Sequence, residues 1–407
     1  MPPPRSSLTS EAAKVPTGSA GVRILAFCDY FAPGMGGGAE RVAHEVYRRL
    51  ANEGAEITVI TTATSDGEWP DRQPNLRVVH VPTLDLRKVL GVQSAITLGG
   101  TRLGARWATQ IHPHLIHANS LEFQTSLAAA RLARRSGVPM VLTAHIGGFA
   151  DLPEPWRTIG RLYEGTVGRY LLHRSRLVIA VSDAVAEHLR RWPNPGKRIR
   201  VVPNGVDHRL FHPRNGSSVD PEVRLLFLGR LITNKGPHLL IEAFRTLRRE
   251  GHRVRLTYVG DGPMRATLQR SVERDPLLRD HVTFTGFSKD PATHLQETDV
   301  LVRPSLTEGM SLAVLEAMAS NVCVVASAVA GNRSLVRDGE TGFLFQPGDT
   351  PSLTDVLRHV VNSSEERARI ATAGHRLSRG YSWDRCAQET LDVFLEALPR
   401  PVRGSRA

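Results

Sequence analysis

Twice along this chain, short apolar runs alternate with longer stretches of helical spacing, and a segment rich in Pro, Gly and Ser parts the two series. In the first series the predicted strands are Val22–Tyr30, Ile57–Thr61, Val78–Val81, Leu115–Ala118, Met140–Ala144, Leu177–Val181 and Ile199–Val202. Helices are predicted at Ala39–Glu53, Ala95–Gln110, Leu121–Arg135, Trp156–His173 and Ala184–Arg191. The break is His208–Pro221, HRLFHPRNGSSVDP. Beyond it, predicted strands Arg224–Leu228, Arg255–Val259, Val282–Thr285, Val300–Arg303 and Val322–Ala326 again alternate with helices, at His238–Arg249, Met264–Glu273, Pro291–Glu297 and Leu312–Ala319. Such alternation builds doubly wound parallel sheets, so the expected class is α/β with two sheet domains. The expected organisation is a tail (1–20), a first domain (21–207), a linker (208–221) and a second domain (222–381). A terminal helix at about 382–397 is free to pack back onto the first domain.

Composition narrows the partners. With 41% hydrophobic and 23% charged residues the chain can bury cores and is not a disordered polymer. Three cysteines spread over the chain fit a reduced, cytosolic compartment better than a disulfide scaffold or a zinc site. The net charge is +12, and 47 of the 52 basic residues are Arg, which favours anionic partners: nucleic acid, acidic lipid or phosphorylated small molecules. Residues 1–20 lack the apolar region of a secretory signal. The apolar stretch Ser311–Ala330 is interrupted by Glu316 and Asn321, so it reads as a helix followed by a buried strand rather than as a membrane span.

In open parallel sheets, ligands bind beyond the carboxyl ends of strands, so the residues that follow each strand carry the functional signal. After the first strand comes PGMGGGAE (33–40), whose Gly34, Gly36 and Ala39 formally fit G-x-G-x-x-A. A dinucleotide site would also need an acidic residue ending the second strand, and that strand ends in Thr61-Thr62-Ala63-Thr64 instead. The Gly36–Gly38 loop can still offer bare N–H groups to a phosphate or a sugar, or can simply be a tight turn. His145 follows the strand Met140–Ala144, with two glycines nearby. Arg230 ends a strand and Lys235 precedes a helix, two cations placed to suit a diphosphate or to sit on a solvated loop. Gly286-Phe287 ends another strand. In Arg303–Ala319, Glu308 occupies the loop, Gly309–Ser311 would open a helix with Ser311 as its cap, and Glu316 lies on that otherwise apolar helix. A carboxylate there must sit at an edge or be hydrogen-bonded.

The spacing E-x7-E from Glu308 to Glu316, inside PSLTEGMSLAVLEAMA, resembles the donor-site signature of glycosyltransferase family 4, the group 1 retaining enzymes with the GT-B fold. Around it FLGRLITNKGPHLLIEAF (227–244), VGDGPM (259–264), VTFTGF (282–287) and LVRDGETGFLF (335–345) follow the family's order, as do GGGAERV (36–42), VSDAVAEHL (181–189) and VVPNGVD (201–207). Met310-Ser311 departs from the aromatic-glycine pair that many members carry.

The resemblance implies two Rossmann-like domains facing a cleft, with a nucleotide-sugar donor on the second and the acceptor mainly on the first. It implies that Arg230 and Lys235 hold the diphosphate, that Glu316 holds the ribose and that Glu308 reaches the transferred sugar. The N–H groups of Gly309, Met310, Ser311 and Leu312 would support phosphate or sugar, and Gly286-Phe287 would hold the base. His145 would lie near the sugar, with Gly36, Gly37 and Gly38 facing the donor. His145 and Glu308 are the expected catalytic pair, in a front-face reaction in which the leaving phosphate helps to deprotonate the acceptor. No D-x-D occurs in the chain, in keeping with an expected metal-independent site; no cofactor is expected, the nucleotide-sugar being a co-substrate. The expected acceptor is a hydroxyl of a glycan or lipid-linked molecule in bacterial cell-surface or glycolipid synthesis. The expected location is cytoplasmic, with contact to anionic membrane at Arg161–Arg176, although Leu162, Val167, Tyr170 and Leu171 also suit a core. The rival readings are a non-hydrolysing sugar-nucleotide epimerase of the same fold and a basic nucleic-acid-binding protein, for which no recognised motif is present.

Overall fold

The computed structural model describes residues 19–31, 37–62, 73–85, 95–97, 99–121, 124–145, 154, 156–192, 198–214 and 222–399. The first half runs β1 (Arg23–Phe27), α1 (Gly38–Asn52), β2 (Glu56–Thr62), β3 (Leu76–Val81), β4 (Thr83–Asp85), β5 (Ala95–Thr97), α2 (Gly100–Ile111), β6 (Leu115–Asn119) and α3 (Gln124–Ser136). It continues with β7 (Met140–Ala144), α4 (Trp156–Tyr163), α5 (Arg169–Arg174), β8 (Leu177–Ala180), α6 (Asp183–Arg190) and β9 (Arg198–Val201). Seven of these strands make a parallel sheet in the order β3-β2-β1-β6-β7-β8-β9. Alternate residues of β1 serve opposite faces, as the period of two requires. Ile24 and Ala26 join the apolar layer beneath α1, whereas Leu25 and Phe27 join the layer that includes Ala129 and Leu132 of α3.

The second half contains β10 (Val223–Leu228), α7 (Pro237–Arg249), β11 (Val254–Val259), α8 (Arg265–Glu273), β12 (Val282–Gly286), α9 (Pro291–Gln296), β13 (Val300–Arg303), α10 (Leu312–Ala319) and β14 (Cys323–Ser327). Then come α11 (Ala330–Arg333), β15 (Phe343–Phe345), α12 (Thr350–Asn362), α13 (Ser364–Ser378) and α14 (Trp383–Ala397). Its sheet is parallel, six-stranded, in the order β12-β11-β10-β13-β14-β15. In each sheet the strand order reverses beside the first strand: β1 lies between β2 and β6, and β10 between β11 and β13. That reversal opens a crevice at the strand ends where ligands bind in such folds.

Helix α14 lies against α1 in the first sheet's apolar layer, where Trp383, Leu391 and Phe394 are buried. An Arg49–Asp384 ion pair at 2.6 Å joins the two helices.

Several elements differ from the sequence reading. The expected helix Ala95–Gln110 begins only at Gly100, because Gly99 adopts φ 85°, a left-handed turn that glycine takes without strain. Ala95–Thr97 instead pairs antiparallel with Thr83–Asp85. The first strand ends at Phe27 rather than Tyr30. The helix expected from Leu121 starts at Gln124. The expected helix Trp156–His173 contains a π-helical turn at Glu164–Gly168. Leu312–Ala319 is a helix and Cys323–Ser327 a fully buried strand. No helix among the described residues is long and apolar enough to cross a membrane.

Candidate active site

The loops that follow β10 and β13 build one cluster around Glu308. Lys235 ends a short 3-10 turn, and Gly236 then turns with φ 67° before α7. A Cβ on Gly236 would stand 2.0 Å from the Pro304 carbonyl oxygen, so only glycine lets this turn lie on the β13 loop. The Leu306 N–H donates to Asn234 O at 2.9 Å and fixes the two loops together.

Glu308 is 9% exposed, and every donor that meets it converges on one oxygen. Lys235 Nζ donates to Oε1 at 2.9 Å, Arg303 Nε at 2.8 Å and Ser305 Oγ at 2.7 Å, and Arg303 Nη2 lies 2.7 Å from the same atom. Oε2 receives no hydrogen bond among the described residues. Burial pushes this carboxyl up, but the Arg303 and Lys235 charges outweigh it and hold the acid at about 2. Burial draws Lys235 down to about 8, and the facing Glu308 offsets only part of that shift. At neutral pH the pair is therefore ionised.

Ser311 caps α10 as expected, accepting the Val314 N–H, and Gly309 and Met310 lie in the loop just before it. The loop's carbonyls are held from the other sheet. Ser182 Oγ, beyond β8, donates to Gly309 O at 2.7 Å, and Asn204 Nδ2 donates to Met310 O at 3.3 Å. With its carbonyls so engaged, the loop leaves the N–H groups of Met310 and Ser311 without an acceptor among the described residues. Bare N–H groups at a helix start attract anions.

Glu316 is 5% exposed on α10 and is hydrogen-bonded, as its apolar surroundings require. Its Oε1 accepts from Arg41 Nη1 of α1, and the Arg41 guanidinium lies 5.7 Å from the centroid of the Phe211 ring. Burial raises the Glu316 carboxyl, and Arg41 lowers it only in part. Glu40, the neighbour of Arg41, is buried too, and its Oε2 accepts the Gly37 N–H at 2.7 Å. Burial raises its carboxyl, while the Arg230 charge acts against that shift.

The expected residues Gly37, Gly38, Arg230, Lys235, Glu308–Leu312 and Glu316 thus meet where the two sheets face each other. A Cβ on Gly37 would stand 3.5 Å from Arg230 Nη2, and one on Gly38 would stand 3.5 Å from Leu312 Cδ1. His145 belongs to the same wall: its Nε2 lies 3.1 Å from Asn119 Oδ1, and Asn119 Nδ2 donates to Ala39 O at the start of α1. Burial lowers the His145 imidazole to about 4, so it is neutral at pH 7. Gly286 and Phe287 stand apart, at the end of edge strand β12, and Phe287 is 55% exposed. Gly36 lies outside the described residues.

Sequence reasoning missed Arg303, Arg41, Glu40, Ser182, Asn204 and Asn119. Of these, Glu40, Arg41, Ser182 and Asn204 lay inside quoted motifs, and Arg303 stands five residues before Glu308. The group as a whole offers three buried carboxylates, Glu40, Glu308 and Glu316, four cations, Arg41, Arg230, Lys235 and Arg303, bare helix-start N–H groups and a neutral histidine. It can grip a diphosphate, hydrogen-bond hydroxyls and stabilise a departing phosphate.

Residues 36–210 match the model described as Glycosyltransferase Family 4, and residues 209–377 match the one described as Glycosyl transferases group 1. A curated relative from Xylanimonas cellulosilytica, named D-inositol 3-phosphate glycosyltransferase, is 32% identical, the alignment covering 91% of this chain and 95% of the relative. One of the same name from Salinispora tropica is 30% identical over 90% of this chain and 83% of its own length. Among solved structures, sucrose-phosphate synthase from Thermosynechococcus elongatus superposes with a TM-score of 0.80 at 22% identity, covering 92% of this chain and 98% of that one. The Anabaena HepE protein in complex with UDP-glucose superposes with a TM-score of 0.72 at 21% identity, over 92% and 100%.

Proposed function

This chain belongs to glycosyltransferase family 4, the group 1 enzymes, and has the GT-B fold, and we propose that it moves a sugar, with retention at the anomeric carbon, from a nucleoside diphosphate to an acceptor hydroxyl. The observation that carries this reading is the single cluster in which Arg230, Lys235, Glu308 and Glu316 of the second sheet face Gly37 and Gly38 of the first. In it, Arg230, Lys235 and the N–H groups of Met310 and Ser311 hold the diphosphate. Glu316 accepts from the ribose hydroxyls, and Glu308 Oε2 accepts from the transferred sugar. Phe287 gives the base an exposed aromatic face.

As the bond from the anomeric carbon to the phosphate oxygen breaks, positive charge grows on the sugar and negative charge on the leaving diphosphate. The two cations and the helix-start N–H groups stabilise that negative charge without reorganising, and such donors are worth about 3 kcal/mol each. Glu308 is held ionised by two cations, with its Oε1 occupied, which suits a fixed hydrogen-bond acceptor better than a covalent nucleophile. The acceptor oxygen then attacks from the face the diphosphate leaves, and its proton passes to a departing phosphate oxygen. Arg230 and Lys235 serve where a divalent ion would otherwise balance the diphosphate.

The relatives named for D-inositol 3-phosphate make a phosphorylated polyol one acceptor to test beside glycan and lipid-linked hydroxyls. A cytoplasmic location and contact with an anionic membrane complete the reading. Ile159 and Leu162 are 51% and 68% exposed on α4, whereas Leu171 is buried and Val167 and Tyr170 pack on the core. The test is a panel of UDP-, GDP- and ADP-sugars, starting with UDP-glucose, scored by thermal stabilisation and by acceptor-dependent release of nucleoside diphosphate. The anomeric configuration of the product is read by NMR, and each reaction is repeated with EDTA. An inverted product, or activity lost to EDTA and restored by Mg²⁺ or Mn²⁺, removes the corresponding part of the reading. Isomerisation of the donor sugar without an acceptor would identify an epimerase instead.

A further inference from the structure

Asn119 ends β6 with 1% of its surface exposed, between two features of the donor-facing wall. Its amide can be oriented from chemistry alone. A backbone carbonyl only accepts, so the amide nitrogen must face Ala39 O, 3.3 Å away in the first turn of α1. That leaves Oδ1 towards His145 Nε2 at 3.1 Å. Oδ1 also only accepts, so Nε2 must carry the hydrogen. A neutral imidazole has a single N–H, and Nδ1 is then the lone-pair nitrogen. Among the described residues Nδ1 has no hydrogen-bond partner, and it is not a buried orphan. The neighbouring His117, which is buried, is engaged at both ring nitrogens, by Tyr47 and Thr143.

We propose that Asn119 is a positioning residue for sugar transfer: it ties His145 to the start of α1 and fixes it as the Nε2–H tautomer, with Nδ1 kept as an acceptor for a hydroxyl of the transferred sugar. The inference rests on reading His145 as a contact of the donor sugar. It adds a restriction on the donor, which must present a hydroxyl, a group that can donate, rather than a carboxylate or a bare methylene at that point. It also explains why an amide suits this position. An aliphatic residue would leave both tautomers open, and a carboxylate would favour a protonated ring that has no acceptor nitrogen.

The test is ¹⁵N NMR of the full chain labelled at histidine, with the His145 signal assigned by its absence in His145→Gln. The expected result is a neutral ring at pH 7 with the hydrogen on Nε2 in the wild type, and a tautomer mixture in Asn119→Ala. In Asn119→Asp the hydrogen stays on Nε2 and the titration midpoint rises. Transfer turnover in Asn119→Ala should fall roughly tenfold, as when a partner that orients a functional histidine is lost, with nucleoside diphosphate affinity kept. Asn119→Asp should regain part of that turnover at high pH. A wild-type ring with its hydrogen on Nδ1, or an alanine variant that keeps a pure Nε2–H ring, overturns the proposal. If the tautomer shifts as expected and turnover does not change, the role given to His145 fails while the orienting contact stands.

Discussion

Glu308→Gln removes one negative charge from a site where two cations face a single carboxylate oxygen. Lys235 Nζ and the Arg303 guanidinium lie 2.9 and 2.7 Å from Oε1, and all three side chains are largely buried. Removing one member of a buried ion pair costs about 3–5 kcal/mol. Glutamine keeps an oxygen for Ser305 and Arg303, so the lower end, about 3 kcal/mol, is the fitting figure. At ~2–4 °C per kcal/mol for a unit of this size, the melting temperature should drop by about 6–12 °C. Acid should narrow the gap. The folded acid titrates near 2, below its ordinary 4.5, so its contribution is complete above pH 4.5 and is lost as pH falls towards 2. The wild type should therefore approach the variant in acid. Should Oε2 also hold the sugar while charge develops, the same ~3 kcal/mol in the transition state lowers single-turnover transfer about 10²-fold. Calorimetric affinity for nucleoside diphosphate should change little. Thermal scans between pH 2.5 and 7, single-turnover rates corrected for folded fraction, and calorimetry separate the outcomes. A lower melting temperature with unchanged corrected turnover makes Glu308 a structural anchor only. An unchanged melting temperature refutes the ion-pair argument itself.

Burial draws Lys235 down to about 8 in the ligand-free protein, and in the role proposed for it the side chain would hold phosphate only as the ammonium. Nucleoside diphosphate affinity should be full below that pH and weaken as pH rises through it, whereas Lys235→Arg, which stays charged, should show no such fall in calorimetry at pH 7 to 9.5. Glu316→Gln should weaken nucleoside diphosphate binding about 10–100-fold by loss of charge-assisted bonds to the ribose, and should lower turnover of the bound donor far less. Leu162→Glu should reduce flotation with acidic vesicles at low salt and leave transfer to a water-soluble acceptor intact; wild-type protein that shows no preference for acidic over neutral vesicles ends the membrane reading.

The sheet cores were legible because parallel strands buried on both faces read as nearly continuous apolar runs, and β7, β8 and β14 stood out in that way. Ala95–Thr97 escaped because three residues carry no period, and the neighbouring helical spacing absorbed them. The pairs that set the charge of each glutamate were less legible, for a different reason. Arg41 and Glu316 are 275 positions apart, and no local pattern couples them. Arg303 looked like the end of an apolar strand, yet its guanidinium turns back to Leu228 O and Glu308. Asn119 carried no signal at all, since one amide at a strand end belongs to no motif.

The two glutamates, eight residues apart, take their charge from different sources. Glu308 draws Arg303 from the end of β13 and Lys235 from the turn before α7, so its ionisation is a property of the second half alone. Glu316 has one hydrogen-bonded cation, Arg41, and that cation is carried by α1 of the first sheet. Burial already lifts the Glu316 carboxyl. If the halves separate, the side chain loses the contact that opposes protonation, and Ser182 and Asn204 release the carbonyls of Gly309 and Met310 in the same step. The acceptor proposed for the ribose and the N–H groups proposed for the phosphate therefore depend on the same approach of the two sheets, while the ionisation of Glu308 does not. Donor affinity should then follow the interface between the halves, and mutations on its first-half side should weaken nucleotide binding although the motifs proposed to hold the nucleotide's base, ribose and diphosphate lie in the second.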